Sequence, residues 1–260
     1  MSPESAKESF GGDWTREKLE RLAKYLHAYT IIFDRNPKAR FYHNVYVDAF
    51  AGVGYIKKQA GTSVERSLFP ELADQEAQGF IEGSARRALE VDPGFKEYLF
   101  IDRNPERCGQ LEELRKAYKH RRITVKNEEA NQYLLEWCKA TDWRRTRAVV
   151  FLDPYGMQVE WALLQEIART RAIDLWFLFP LGVAVMRLLT RKEPPPETWA
   201  NRLTRICGTD DWRQQLYQRR QAQTLFGAEE SEQREADYKA VATFFLDRLK
   251  VIFARVAEHP

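Results

Sequence analysis

Cysteine is scarce in this chain of 260 residues: Cys108, Cys138 and Cys207 stand far apart, with no CxxC pair and no histidine at ligand spacing. Neither a disulfide framework nor a zinc site is encoded, and the expected home is reducing, intracellular and cytoplasmic. Long hydrophobic runs are missing too. The most apolar stretch, residues 173–185, is broken by Asp174, Pro180 and Gly182, and residues 1–14 lack the basic stretch and apolar run of a secretory leader. No membrane span and no signal peptide are expected. Charge of one sign is not in excess either, since 41 Lys and Arg face 38 Asp and Glu for a formal net charge of +3. That total does not announce nucleic acid. The basic residues do cluster, at Arg115-Lys116, at 119–122, at 144–147 and at Arg219-Arg220, and each cluster alone reads as a solvated helix face or loop. Phosphate-cradling loops are also lacking. There is no GKS or GKT, and Gly52-Val53-Gly54 continues into Tyr55-Ile56-Lys57 without a third glycine, which argues against a nucleotide triphosphatase and a dinucleotide-binding fingerprint.

What is present is enough to fold. With 44% apolar and 30% charged residues, the chain has room for one large domain, or one domain and a small addition. Leu19, Leu22, Ala23, Leu26 and Tyr29 recur at three and four, predicting an amphipathic helix over 15–29, capped by Thr15 and ending before the turn Asp34-Arg35-Asn36-Pro37. Short apolar runs follow at 45–47, 98–101, 122–125, 148–152 and 175–179, separated by helical stretches that include one starting near Gly83-Ser84 and one behind Asn104-Pro105. Runs so continuous, alternating with helices, predict a doubly wound, mostly parallel α/β sheet covered on both faces. Residues 56–80 show no clear period and read as an excursion. The triple proline Pro194-Pro195-Pro196 marks a stiff junction. Beyond it, residues 197–206 and 210–226 read as polar helices separated by Gly208-Thr209, a stop and a cap. The last segment reads as one long helix, with 250–257 open to a final strand. The organisation is thus an N-terminal helical flank (1–40), an α/β domain (41–193) and a helical C-terminal extension (194–260).

The unusual residues fall at the carboxyl ends of the strands, where open parallel sheets bind ligands. Gly52 and Gly54 allow close approach of backbone to a ligand, because they carry no Cβ. Asp48 precedes that turn, and Asp102 at the next strand tip is placed to accept both hydroxyls of a ribose. Glu129 and Asp153 follow the third and fourth strands. A cofactor with adenosine and no phosphate suits this set, and S-adenosylmethionine is such a cofactor. Taken singly, the glycine pair reads equally as a tight turn, Asp102 as a helix-capping acid and Asp153-Pro154 as a plain turn; their joint order favours cofactor binding. Tyr133, Trp137, Trp161, Trp176 and Phe177 read as core, and His27, His43, His120 and His259 have no partner in sequence.

Asp48-Ala49-Phe50-Ala51-Gly52-Val53-Gly54 resembles the D-x-F-x-G-x-G first motif of class I methyltransferases acting on base amino groups. Asp153-Pro154-Tyr155-Gly156 is similar to their D-P-P-Y motif without its second proline, in the form seen in tRNA guanine dimethyltransferases. The ordered set over roughly residues 14–182, from the Lys18-Leu19 helix through the glycine loop, Gly83-Ser84, Phe100-Ile101-Asp102 and Phe151 to Gly156, resembles the three-Cys-motif partner family, TcmP. The resemblance implies a class I methyltransferase-like (Rossmann-like) domain whose relatives are partnered with a radical-SAM-type protein bearing three cysteines. It also implies roles. Asp48, Phe50, Gly52 and Gly54 shape the methionine end of the pocket, Asp102 holds the ribose, Glu129 lies on the adenine side, and Asp153, Pro154, Tyr155 and Gly156 face the acceptor. Two functions follow as expectations. One is transfer of a methyl group from S-adenosylmethionine to an amine, an exocyclic base amine in DNA or RNA. The alternative is a non-catalytic methyltransferase-like protein that serves the three-Cys-motif partner.

Overall fold

Leu19, Leu22, Leu26 and Tyr29 form a buried stripe along α1 (Gly12–Arg35), as their spacing predicts. In the computed structural model, which describes residues 12–49, 83–154, 156–191, 194–224, 227–234 and 236–257, this helix is longer than its apolar pattern. Thr15 lies inside it instead of capping it, and Asp34 and Arg35 belong to its end. A cation in the last turn complements the negative end of the helix dipole, which allows the helix to run on. Asn36 then closes the turn, its side chain accepting the Lys38 N–H at 2.9 Å.

Five strands, β1 (His43–Ala49), β2 (Glu97–Ile101), β3 (Ile123–Lys126), β4 (Thr146–Leu152) and β5 (Ile173–Phe177), form an all-parallel sheet in the order β3-β2-β1-β4-β5. Burial follows position. β1, β2 and β4 are buried along nearly their whole length, whereas the edge strands β3 and β5 are mostly half-buried. This is the pattern of a Rossmann-like α/β fold, in which central strands need apolar side chains on both faces. The register runs from Val45↔Glu97 to Ala49↔Ile101, and from Tyr98↔Ile123 to Ile101↔Lys126. Strand order reverses between β1 and β4, so the crevice that such sheets offer to ligands lies outside the carboxyl end of β1.

The connections obey their sequence signals. A helix is described over residues 83–89 (α2), and α3 (Pro105–Ala117) begins at Asn104, whose side chain accepts the Glu106 N–H, with Pro105 in the first turn. Next come α4 (Ala130–Ala140) and α5 (Trp161–Thr170). The chain divides into two units, residues 1–130 with 142–151 and residues 131–141 with 152–260. In the second unit a π-helical turn, Leu181–Val185, runs into α6 (Met186–Leu188), and α7 (Glu197–Cys207) ends at Gly208. Gly208 has φ +67, and a Cβ there would lie 2.1 Å from the Trp161 ring, so both the left-handed turn and the close approach require glycine.

The polar segment 210–226 departs from expectation. Among its described residues only α8 (Trp212–Leu216) is helical; β6 (Tyr217–Thr224) pairs antiparallel with β7 (Gly227–Arg234), from Tyr217↔Arg234 to Thr224↔Gly227. After Leu216 the sequence has no apolar stripe at helical spacing, so a helix there buries nothing, while a hairpin still satisfies the backbone. Nor does Thr209 cap α8; its hydroxyl accepts the Asp211 N–H at 3.2 Å, ahead of the helix. The C-terminal part is therefore mixed, not wholly helical. The final segment is helix: α9 (Tyr238–Ile252) starts at Asp237, which accepts the Ala240 N–H, and no strand follows among the described residues. Its Phe245 stacks on Phe179 with ring centroids 3.8 Å apart and meets Phe177 and Trp161 edge-on.

Candidate functional site

Asp48 and Asp102 stand at the carboxyl ends of neighbouring strands of the first unit. Asp48 pairs in register with Phe100, and Asp102 follows Ile101, the partner of Ala49. Both are 2% exposed. Such burial is costly for a carboxylate unless its oxygens are matched. Asp48 Oδ2 accepts the Ser84 hydroxyl at 2.8 Å and the Tyr46 hydroxyl at 3.2 Å. Burial, with Asp48 beside it, pushes the Tyr46 hydroxyl well above its usual range, so the phenol stays a donor. β1 and α2 are thereby tied at the strand tip.

Asp102 is held differently. Its Oδ1 accepts the Asn104 N–H at 2.7 Å, shaping the turn into α3, and its Oδ2 lies 3.6 Å from Nη1 of Arg107, itself buried. That separation exceeds a hydrogen bond, and among the described residues Oδ2 has no hydrogen-bond partner. Burial raises the carboxyl above its ordinary range, and the Asn104 N–H and the Arg107 charge pull it back only in part. The Asp102 carbonyl oxygen accepts the Asn127 side-chain N–H at 3.0 Å and the Cys108 thiol at 3.3 Å. Asp102 is therefore fixed from three directions. Asn104, not Asp102, supplies the helix cap. Glu129 lies half-buried just before α4. Phe50, Gly52 and Gly54, and the excursion over 56–80, fall outside the described residues.

In the second unit, Asp153 and Gly156 are half-buried and Pro154 is buried, immediately after β4; Tyr155 is outside the described residues. Gly156 has φ +80, a conformation that disfavours any other L-residue and explains the glycine of this tetrapeptide. The chain beyond it is pinned by Asn131. Its side chain donates to the Gln158 carbonyl at 2.9 Å and accepts the Glu160 N–H at 2.9 Å. Asn131→Ala leaves two partly buried backbone groups without these partners, at a cost of about 1 kcal/mol or more. A thermal midpoint several degrees below wild type in calorimetry is the expected result, and an unchanged midpoint contradicts the clamp.

Comparison of the chain with family models, with curated proteins and with solved structures finds no match. The site therefore rests on its own chemistry. Among the described residues no group of three His, Cys, Asp or Glu is placed to hold a metal ion, and no helix is long and apolar enough to cross a membrane. The three cysteines are buried and form no disulfide. Burial raises all three thiols, Cys138 and Cys207 to about 12, so they remain protonated and unreactive at neutral pH. Of the aromatics read as core, Trp161 is buried and Tyr133, Trp137, Trp176 and Phe177 are half-buried. Arg107 and the clamping role of Asn131 were not readable in advance. Arg107 sits among helix-surface residues in sequence, and only the turn at Asp102 brings it inward.

Proposed function

We propose that this chain is a class I-type methyltransferase that takes S-adenosylmethionine as donor and an exocyclic base amine of nucleic acid as acceptor. One observation carries the reading: a carboxylate oxygen, Asp102 Oδ2, is buried at the carboxyl end of β2 and accepts no hydrogen bond among the described residues. A ribose presents two adjacent hydroxyl donors, and a strand-tip carboxylate is the acceptor that suits them. The residues thus fit the group. Strand order supports the same conclusion, because Asp48 and Asp102 lie at the carboxyl ends of β1 and β2, next to the reversal, the region where open parallel sheets bind ligands.

When bound, S-adenosylmethionine supplies a methyl group on a cationic sulfur, already activated for displacement. What this chain contributes is position. Asp102 accepts the ribose hydroxyls, Glu129 borders the adenine, and Asp48, held by Ser84 and Tyr46, fixes the strand tip at the methionine end, the part of the cofactor also assigned to Phe50, Gly52 and Gly54. A base amine is a weak nucleophile because its lone pair is delocalised into the ring. By accepting hydrogen bonds from its two N–H groups, the Asp153 carboxylate and the Pro154 carbonyl localise that lone pair on the amine nitrogen. Tyr155 stacks on the extruded base, and Gly156 provides the turn.

A specific contact favours a second reading. Asp102 already serves its own chain through the Asn104 N–H and faces the Arg107 guanidinium, so the alternative is a non-catalytic methyltransferase-like protein that binds a radical-SAM-type, three-Cys-motif partner. Calorimetric titration with S-adenosylmethionine separates the two. The enzyme reading expects saturable binding, weakened roughly tenfold or more in Asp102→Ala through loss of charged hydrogen bonds. No binding by the wild type, or equal binding by the variant, favours the partner reading.

A further inference from the structure

The net charge of +3 conceals a separation of charge across the sheet. In a parallel sheet all strands begin at one edge. The segments leading into β1 to β4, residues 37–42, 94–97, 119–122 and 142–147, hold nine Lys and Arg against two carboxylates, Glu97 and Asp142. At the other edge, at the ends of β2 and β3, Asp102, Glu128 and Glu129 outnumber Arg103 and Lys126. Basic clusters more than a hundred residues apart in sequence thus meet on the edge away from the acids.

Contacts within the first unit show that this edge is continuous. The His43 N–H donates to the Arg145 carbonyl at 2.8 Å, the Lys96 N–H to the Asn44 carbonyl at 3.1 Å, and the Tyr98 N–H to the Arg122 carbonyl at 2.9 Å. Lys96 Nζ donates to the carbonyls of Arg40 at 2.8 Å and Tyr42 at 2.6 Å. The Arg147 guanidinium lies 4.0 Å from the Tyr42 ring centroid. At about 4.8 Å between strands, the four strand starts span roughly 14 Å. Lys38, Arg40, Lys119, Arg122, Arg144 and Arg145 are exposed; Asp142 binds Arg144, and Glu97 is shared by His43 and Arg122. Amid these cations Phe41 is 78% exposed, its ring centroid 5.4 Å from the Arg40 guanidinium. An exposed aromatic ring set among cations matches what single strands require: charge for the backbone and a flat apolar face for an unstacked base.

We propose that the edge at the start of β1 to β4 is a docking surface for single-stranded nucleic acid, with Lys38, Arg40 and Arg145 on the phosphates and Phe41 under a base. The inference shares with the methyltransferase reading only the class of acceptor, and its test needs no methyl donor. Fluorescence anisotropy of the full chain with labelled oligouridine and oligothymidine, over a range of salt, is the measurement. A Lys38→Glu, Arg40→Glu, Arg145→Glu variant loses at least roughly tenfold in affinity, and its salt dependence becomes shallower by about two in log–log slope, since each phosphate contact on a single strand contributes about 0.7. Phe41→Ala, whose ring makes little internal packing, weakens binding to single strands roughly tenfold and leaves duplex binding unchanged. Equal affinities for wild type and the charge-reversal variant, with folding confirmed by circular dichroism, overturn the proposal. So does sedimentation with vesicles containing phosphatidylserine when neither oligonucleotide is bound.

Discussion

Asp153→Ala lowers methyl transfer by roughly a hundredfold or more and leaves S-adenosylmethionine binding unchanged. The magnitude follows from what the residue does in the proposed reaction. The donor is already activated, so nearly all of the acceleration comes from holding the amine in line with the methyl group, and small misplacements cost about two orders of magnitude. The carboxylate accepts a hydrogen bond from the amine only when the acceptor base is in place, so its loss appears in kcat more than in donor affinity. Asp153→Asn sharpens the test. The amide retains an acceptor oxygen but adds a donor that opposes the amine, so partial activity is expected. Loss of donor binding in Asp153→Ala, or full activity, contradicts the assignment. The pinned segment Gln158–Glu160 argues that the effect is chemical and not structural, because Asn131 holds the chain beyond Gly156 through backbone atoms that the substitution does not touch.

Arg107→Leu costs roughly 3–5 kcal/mol of stability, the range found when one partner of a buried ion pair is removed and the other remains. The remaining charge is Asp102, 2% exposed. The pH dependence carries the diagnosis. Burial already raises the Asp102 carboxyl above its ordinary value, so between the unfolded and folded titrations the folded chain keeps a proton that the unfolded chain has lost. In that window this group's contribution to stability falls as pH rises and returns as pH falls. Removing Arg107 raises the folded value further, so the gap between variant and wild type is widest near neutrality and narrows on acidification. Calorimetric melts at stepped pH read it directly. The Asp102→Asn, Arg107→Leu double variant recovers most of the loss, because no buried charge is left. A gap independent of pH, or no recovery, contradicts the pairing.

Much of this molecule was legible from residue pattern, and the exceptions share a cause. The strands announce themselves because a sheet covered on both faces needs continuous apolar runs, and Asn104-Pro105 and Gly208 mark a helix start and stop through local backbone chemistry alone. Asp48 and Asp102 were identifiable because they end such runs. The β6–β7 hairpin was not, since its polar sequence lacks either period and its structure is decided by pairing. Arg107 and Asn131 were missed for the same reason: their partners, Asp102 and the Gln158–Glu160 backbone, depend on where the turns carry them. The basic clusters at 119–122 and 144–147 each read as solvated loops. Only strand direction reveals that they share an edge with Lys38 and Arg40, and that this edge is not the one carrying Asp48 and Asp102.

Methyl transfer to nucleic acid is measured by incubating the purified chain with methyl-labelled S-adenosylmethionine and separate pools of RNA, DNA and protein. Label is expected in a nucleic-acid pool, on an exocyclic amine after hydrolysis to nucleosides, and is lost with Asp153→Ala. Absence of label from every pool, with a chain shown to be folded and pools shown to accept methyl groups from other enzymes, contradicts the methyltransferase reading.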